Sequence, residues 1–252
     1  MILNYRSYTN KLKPNIVILH GLFGSLQNWH SISTQLSKDF HVICVDCRNH
    51  GESFHSKSMT YDDMANDVAT LMEHLSIEKT FLIGHSMGGK IALRFSQLFP
   101  QKVIKQLIVD IAPKPYPAHH QSIIDTLLQI KPAHYQSRND VSIALKDSIP
   151  NEMLRGFLLK NLIRNEHQLK WRISVQDISN NYLHIMDWPF SDLISTETLF
   201  LRGSQSNYIN ESETSIQKIC TNAKIKSINA SHWIHAEKPS EFISITITIF
   251  SH

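Results

Sequence analysis

Short apolar runs, rich in β-branched residues, alternate with amphipathic stretches along much of this chain. Runs of this kind are typical of strands buried on both faces, as in a parallel sheet covered by helices. The strand–helix alternation therefore predicts an α/β fold with a mostly parallel, doubly wound sheet. Five runs fit the strand pattern: Ile16–His20, Phe40–Asp46, Thr80–His85, Ile104–Asp110 and Glu197–Arg202.

Two amphipathic segments between these runs have clear helix signals. Thr60–Leu75 begins with Thr60 and Asp63, which resemble a capping box, and its apolar residues recur at helical spacing. Gly88–Phe99 is ended by Pro100, because proline cannot continue a helix interior. Both segments are predicted to be helices that cover the sheet.

Three further segments complete the predicted core. Asn4–Tyr8 is expected to add an antiparallel edge strand, and Ala223–Asn229 to add a late strand. In Glu241–Ser251, isoleucines alternate with Ser and Thr as they would in a strand. The alternation of strands and helices favours a closing helix instead, and we predict a helix.

The region 113–187 interrupts the alternation and opens with three prolines in five residues. It is predicted to be a helical insertion carried on the sheet, since core elements lie on both sides of it. The predicted organisation is thus a first core part at 1–112, the insertion at 113–187, and a second core part at 188–252. Its helix-like runs are Ser122–Ile130, Val141–Ser148, Asn151–Ile163 and Leu169–Ile178.

Composition is ordinary for a globular protein, with 42% hydrophobic and 19% charged residues among 252 and a net charge of +3. A slightly basic surface is favoured over a face that binds an anionic carrier. The three cysteines suit a reducing compartment, and Cys44 of the C-x-x-C pair lies in an apolar run. The N-terminus lacks a signal-peptide pattern and no run is long enough to span a membrane. We expect a cytoplasmic protein.

Several chemistries have no support in the sequence. His119-His120 and the other histidines lack metal-ligand spacing, and H-E-x-x-H is absent. Phosphate-cradling loops and nucleic-acid-binding motifs are also missing. We therefore expect no metal, no organic cofactor and no nucleic-acid partner. The oligomeric state is left open.

Gly84-His85-Ser86-Met87-Gly88 is a G-x-S-x-G sequence between a predicted strand and a predicted helix. That context is the one in which the motif forms a nucleophile elbow. The chain must reverse within a few residues there, so the serine hydroxyl is pushed out above the sheet. Ser86 is the predicted nucleophile.

A serine hydroxyl needs an adjacent base to become a good nucleophile. His232 follows the predicted strand Ala223–Asn229, on a loop where this topology returns the chain to the nucleophile. We predict that His232 is the base, with His235 as the local alternative.

An Asp or Glu is expected to orient the imidazole of the base. The stretch after the strand ending at Arg202 contains no carboxylate before Glu211 and Glu213. Asp110 instead ends the strand that follows the nucleophile strand, and an unpaired carboxylate would be costly there. Asp110 is the predicted acid, and Glu211 is the first alternative.

An oxyanion hole needs backbone N–H donors fixed where negative charge develops. Met87, directly after the nucleophile, is predicted to supply one. The loop after the first core strand should supply the other, with Leu22 as first choice and Phe23 as second. His20 is interpreted as structural. The stretch from Asp46 to Ser53 is also interpreted as architectural, with His50 facing the substrate as an alternative.

These motifs together resemble the α/β-hydrolase superfamily, and within it the YbfF-like esterase branch. The resemblance rests on five stretches that span most of the chain: 20–25, 46–51, 84–90, 110–113 and 232–239. It implies a triad of Ser86, Asp110 and His232, a four-helix cap, and esterase or acyl-thioesterase activity on small acyl groups.

The expected protein is accordingly a serine hydrolase that cleaves small carboxyl esters or thioesters through an acyl-enzyme. Hydrolysis of acyl esters of coenzyme A or a carrier protein is one alternative, and a non-catalytic ligand receptor on the same fold is another. Apolar residues of the insertion are expected either to wall an acyl pocket or only to pack its helices together: Ile123, Leu127, Leu128, Leu158 and Leu162.

Overall fold

A computed structural model describes residues 1–8, 12–166, 168–210 and 213–251. Within these ranges the main sheet has seven strands in the order β1-β3-β2-β4-β5-β8-β9. Neighbouring strands are parallel except for the β1–β3 pair at one edge. The strands are β1 Tyr5–Tyr8, β2 Asn15–Leu19, β3 His41–Val45, β4 Thr80–His85, β5 Val103–Val109, β8 Thr198–Gly203 and β9 Ala223–Ile228.

Helices cover both faces of this sheet. Successive strand residues point to opposite sides, so each strand places apolar side chains on both faces. In β2, Ile16 and Ile18 belong to one core cluster, whereas Val17 and Leu19 belong to the other. The helices of the core are α1 His30–Leu36, α2 Tyr61–His74, α3 Met87–Leu98, α8 Thr214–Ile219, α9 Ile234–Glu237 and α10 Pro239–Phe250.

The predicted sheet is confirmed, with strand ends shifted by a residue or two. The antiparallel edge strand and the late strand are both present, and the final segment is the helix α10. Phe242, Ile245 and Phe250 on α10 are buried, so packing against the sheet outweighs the alternating Ile/Ser/Thr pattern. The three cysteines are buried and free, and burial raises the pKa of the Cys44 thiol to about 12.

Between β5 and β8 the described residues form four α-helices and a two-stranded hairpin, and we call this region the cap segment. The domain boundaries at 112 and 187 stay predictions. The cap elements are α4 Gln121–Gln129, α5 Arg138–Ala144, α6 Glu152–Leu159, β6 Leu162–Asn165, β7 Gln168–Trp171 and α7 Val175–Met186.

Two of the predicted cap helices were wrong in extent. The run Asn151–Ile163 contains the shorter α6 and then enters β6, and the run Leu169–Ile178 contains most of β7 before α7 begins. In the hairpin Leu162 pairs with Trp171 and Arg164 with Leu169. Leu162 and Leu169 are both buried, so cross-strand pairing buries the apolar positions that the sequence pattern assigned to helices.

Short 3-10 helices occupy Leu26–Trp29, Pro100–Lys102 and Pro132–His134. In the described part of the chain, no helix combines the length and apolar character that crossing a membrane requires.

Candidate active site

Ser86 lies at the sharp turn between β4 and α3. Its backbone has φ 52° and ψ −120°, a conformation that L-residues rarely adopt and that costs of order 1–3 kcal/mol. The turn depends on Gly88, because a Cβ at that position would lie 2.3 Å from the carbonyl oxygen of Leu19. The Ser86 N–H donates to Val109 O at 3.0 Å, which joins the turn to β5.

Asp110 directly follows β5 and is fully buried. Its Oδ1 accepts a hydrogen bond from the Gly203 N–H at 2.9 Å. Its Oδ2 accepts from the Ser206 hydroxyl and from His232 Nδ1, the latter at 2.7 Å. The carboxylate is thus satisfied by three donors, as a buried charge must be, and it contacts the ring of the predicted base.

The other carboxylates considered after β8 are Glu213 and Glu211. Glu213 is held by the Lys114 ammonium and by Ser215, whose hydroxyl donates to its Oε1 at 2.6 Å. Glu211 lies outside the described residues.

His232 follows β9, and its backbone is fixed by the residue that precedes Ser86. His85 Nε2 lies 2.9 Å from His232 O, so that nitrogen carries the proton and donates to the carbonyl. Burial holds the pKa of His85 well below its usual value, so the ring stays neutral. His85 therefore positions His232 relative to Ser86 without being charged.

The alternative base, His235, occupies a different environment. It is buried, and its ring is stacked on Trp29 with centroids 4.1 Å apart. Burial lowers its pKa to about 3. Among the described residues its Nδ1 has no hydrogen-bond partner, so it makes no contact with Asp110 of the kind that His232 makes.

Ser86 and His232 line the same cleft. Among the described residues no hydrogen bond joins the Ser86 hydroxyl to another side chain. Such bonds are often long before a substrate binds and shorten only in the complex. With Asp110 accepting from Nδ1, the Nε2 of His232 is the nitrogen left to accept a proton.

The two candidate oxyanion donors of the loop after β2 differ in what they contact. The Phe23 N–H donates to His50 Nε2 at 3.1 Å. His50 is fully buried, its Nδ1 donates to Arg48 O at 3.0 Å, and burial lowers its pKa to about 3. Hence His50 holds the loop through a neutral ring and does not face a substrate. In the described structure, the N–H groups of Leu22 and Met87 have no hydrogen-bond acceptor.

His20 has the structural position predicted for it. It is buried, its Nδ1 donates to Gly21 O at 2.8 Å, and its Nε2 accepts from the Cys47 N–H at 3.0 Å. Burial lowers its pKa. Two neutral histidines therefore join the Gly21–Gly24 loop to the loop after β3.

The loop after β3 is architectural, as predicted. Ser53 donates to Asp46 O at 2.5 Å, and Asp46 Oδ1 accepts from the Leu26 N–H at 2.8 Å. Arg48 makes two hydrogen bonds to Asp67, at 2.6 and 2.8 Å, and is 8% exposed. This paired guanidinium fixes the loop against α2.

A cleft of about 520 Å³ borders Ser86 and is mostly apolar. Its walls include Ile123 of α4, Phe157 of α6 and Trp233, which follows His232. The charged side chains that line it are Lys160 and Glu237. The cap segment thus supplies one side of the cleft and the core supplies the other.

The expectation for the five apolar cap residues holds in part. Ile123 lines the cleft, but Leu127, Leu158 and Leu162 are at most 1% exposed and belong to the hydrophobic core. Leu128 is 37% exposed. Three of the five therefore pack the cap together instead of walling a pocket.

Lys90 was not recognised as important from the sequence. It lies on α3, is 1% exposed, and its ammonium donates to the carbonyls of Met186 and Asp187 at 3.1 and 3.0 Å. Burial lowers its pKa to about 7. A lysine inside the apolar face of a predicted helix was the available signal. This side chain fastens the end of α7 to the nucleophile helix.

The described residues contain no cluster of His, Cys, Asp or Glu able to hold a metal ion. The candidate site combines a strained serine, a carboxylate-paired histidine, two N–H groups without acceptors among the described residues and an apolar cleft. The strand–turn–helix context of Ser86 on a parallel sheet makes this a candidate hydrolase site.

Comparisons with known proteins support a hydrolase. Residues 14–144 match the model of the family described as the alpha/beta hydrolase fold. The chain is 40% identical to the sn-1-specific diacylglycerol lipase ABHD11 of Danio rerio, over 92% of this chain and 77% of that protein. It is 33% identical to Esterase YbfF of Escherichia coli, over 95% of each.

A solved structure titled marine microorganism esterase superposes with a TM-score of 0.94 at 37% identity and covers 98% of both chains. The chain belongs to the α/β-hydrolase family. Within that family it is a carboxylic ester hydrolase, in line with its esterase and lipase relatives.

Proposed function

We propose that this protein hydrolyses small, uncharged carboxyl esters through a Ser86–His232–Asp110 triad and an acyl-enzyme. The observation that carries the proposal is the 2.7 Å contact between His232 Nδ1 and buried Asp110, on the cleft that Ser86 also lines. The carboxylate selects the tautomer of His232 in which Nε2 is unprotonated, and this is the form that can act as a general base.

In the proposed reaction His232 Nε2 takes the proton of Ser86 as the serine oxygen bonds to the ester carbonyl carbon. The π electrons of the carbonyl move onto its oxygen, which becomes the oxyanion of a tetrahedral intermediate. When the carbonyl reforms, the bond to the leaving oxygen breaks and His232 protonates the departing alcohol. Water, deprotonated by His232, then releases the acid from Ser86 in the same two stages.

We assign the oxyanion hole to the N–H groups of Met87 and Leu22. Phe23, the other candidate, donates its N–H to His50, so stabilising an oxyanion there would require breaking that bond. An unpaired donor aimed at developing charge needs no such reorganisation.

The lining of the cleft favours a neutral substrate over an anionic carrier. Among the described residues, one lysine and one glutamate are its charged side chains, so this lining has no excess positive charge. Thioesters of neutral groups fit the same chemistry, since His232 can protonate a thiolate as well as an alkoxide.

The experiment is hydrolysis of a p-nitrophenyl ester series, from acetate to decanoate, by the wild type and Ser86→Ala. Wild-type turnover with a pre-steady-state burst of p-nitrophenol, both absent in Ser86→Ala, is expected. A wild type that binds these esters without turnover would favour the ligand-receptor function. Equal activity in the mutant would show that another nucleophile acts.

A further inference from the structure

Two cavities of very different size meet at Ser86. The large one is the 520 Å³ cleft, which His232 also lines. The second is a chamber of about 20 Å³ that is lined by Ser86, Leu22 and Met87 but not by His232. We call it the inner chamber; its other walls include Tyr61, Lys90, Tyr116, Ile185, Met186 and Tyr208.

The proposed mechanism determines which part of an ester enters which cavity. The oxyanion points to the N–H groups of Leu22 and Met87, and the leaving oxygen must lie next to His232 to be protonated. The leaving group therefore occupies the large cleft. The acyl substituent, the remaining group on the tetrahedral carbon, points away from His232 and toward the inner chamber.

The inner chamber is small enough to select among acyl groups. A cavity needs roughly 10–15 Å³ to hold one water molecule, so about 20 Å³ accommodates a group the size of a methyl. Each additional methylene would have to displace wall atoms, and inserting methylenes into packed protein is costly.

The walls are fixed by hydrogen bonds to backbone. The Tyr61 hydroxyl donates to Ile185 O at 2.6 Å, and the Tyr116 hydroxyl donates to Tyr208 O at 2.8 Å. Lys90 donates to the carbonyl of Met186 at 3.1 Å. Widening the chamber would break such bonds among buried or partly buried groups, so expansion would cost free energy.

From this geometry we propose that the inner chamber is the acyl subsite and that it makes the protein selective for acetyl esters, with Met186 and Ile185 limiting acyl length. The large cleft accepts leaving groups of varied size. The inference rests on the proposed ester hydrolysis and names its substrate class.

The test varies the two halves of the ester separately. The wild type is assayed with p-nitrophenyl acetate, butyrate and hexanoate, and then with acetates of phenol, 1-naphthol and 4-phenylphenol. We expect kcat/KM for acetate to exceed that for hexanoate by at least about tenfold. The three acetates should differ no more than the pKa values of their phenols explain.

Two variants enlarge the inner chamber. Met186→Ala should reduce the acetate-to-hexanoate ratio at least about fivefold, and the milder Ile185→Val should reduce it less, in the same direction. Leu183→Ala is the matched control, because Leu183 lies on the same helix, is 71% exposed and lines neither cavity. Its ratio should equal that of the wild type. Circular dichroism and thermal unfolding confirm that each variant is folded.

Wild-type hexanoate turnover equal to or faster than acetate turnover would overturn the inference and leave the proposed hydrolase intact. An unchanged acetate-to-hexanoate ratio in Ile185→Val and in folded Met186→Ala would show that the inner chamber does not select the acyl group. A wild type inert toward every ester would instead remove the proposed function itself.

Discussion

Replacing Asp110 with Asn keeps the side chain's volume and removes the charge that faces His232. The carboxylate now accepts from the Gly203 N–H, the Ser206 hydroxyl and His232 Nδ1. An amide has one oxygen, and keeping that oxygen on Gly203 turns its NH2 group toward His232. The imidazole can then form a hydrogen bond with the amide only by accepting at Nδ1.

That tautomer carries its proton on Nε2 and cannot take the proton of Ser86. A loss of this kind in a serine protease lowers kcat about 10⁴-fold, which corresponds to roughly 5 kcal/mol of transition-state stabilisation. We expect a decrease of that order in kcat/KM for p-nitrophenyl acetate with Asp110→Asn. Thermal unfolding should show that the variant remains folded at the assay temperature.

The matched control is Glu213→Gln, which removes a carboxylate whose partners are Lys114 and Ser215 instead of the imidazole. Its activity should stay within about twofold of the wild type. A loss smaller than tenfold in Asp110→Asn would refute the reasoning, and the search for the acid would move to Glu211.

The buried histidines make the fold sensitive to acid: His50 and His235 have pKa values lowered to about 3, whereas the unfolded chain binds their protons near pH 6.5. Their contribution to the free energy of unfolding is complete above pH 6.5 and declines as the pH falls toward 3, by about 3 kcal/mol for each histidine at pH 4.5. The urea midpoint should therefore drop steeply between pH 7 and 5. A midpoint that does not change with pH would contradict this. Arg48→Met leaves Asp67 buried without its partner and should lower the free energy of unfolding by about 3–5 kcal/mol. Urea denaturation measures this loss. A loss below about 1 kcal/mol would show that the buried pair contributes little.

The sequence sufficed for the parts of the molecule that local constraints determine. The turn at Ser86 could be predicted because glycines flank it between an apolar run and an amphipathic one. The position of Asp110 could be predicted because parallel strands end at one edge of a sheet, which brings the residue after β5 near the loop after β9.

The cap could be predicted only as a helical insertion. Leu162 and Leu169 have spacings that fit a helix, and only the pairing of β6 with β7 makes them strand residues. Such pairing is a tertiary effect that short apolar runs do not reveal.

The roles of His50 and Lys90 could not be predicted from the sequence either. His50 contacts a backbone N–H 27 positions away, and Lys90 contacts carbonyls 96 and 97 positions away. The identity of these residues indicates that they can form hydrogen bonds, but the acceptor or donor depends on the folded path of the chain.

The bond from His85 to the carbonyl of His232 joins residues 147 positions apart. Since His232 follows β9, the last strand of the sheet along the chain, the position of its ring depends on that strand being in place. Asp110 likewise acquires its Gly203 and Ser206 donors only once β8 is in position. The contacts around Asp110 and His232 therefore form only in a molecule in which β5, β8 and β9 are all in place.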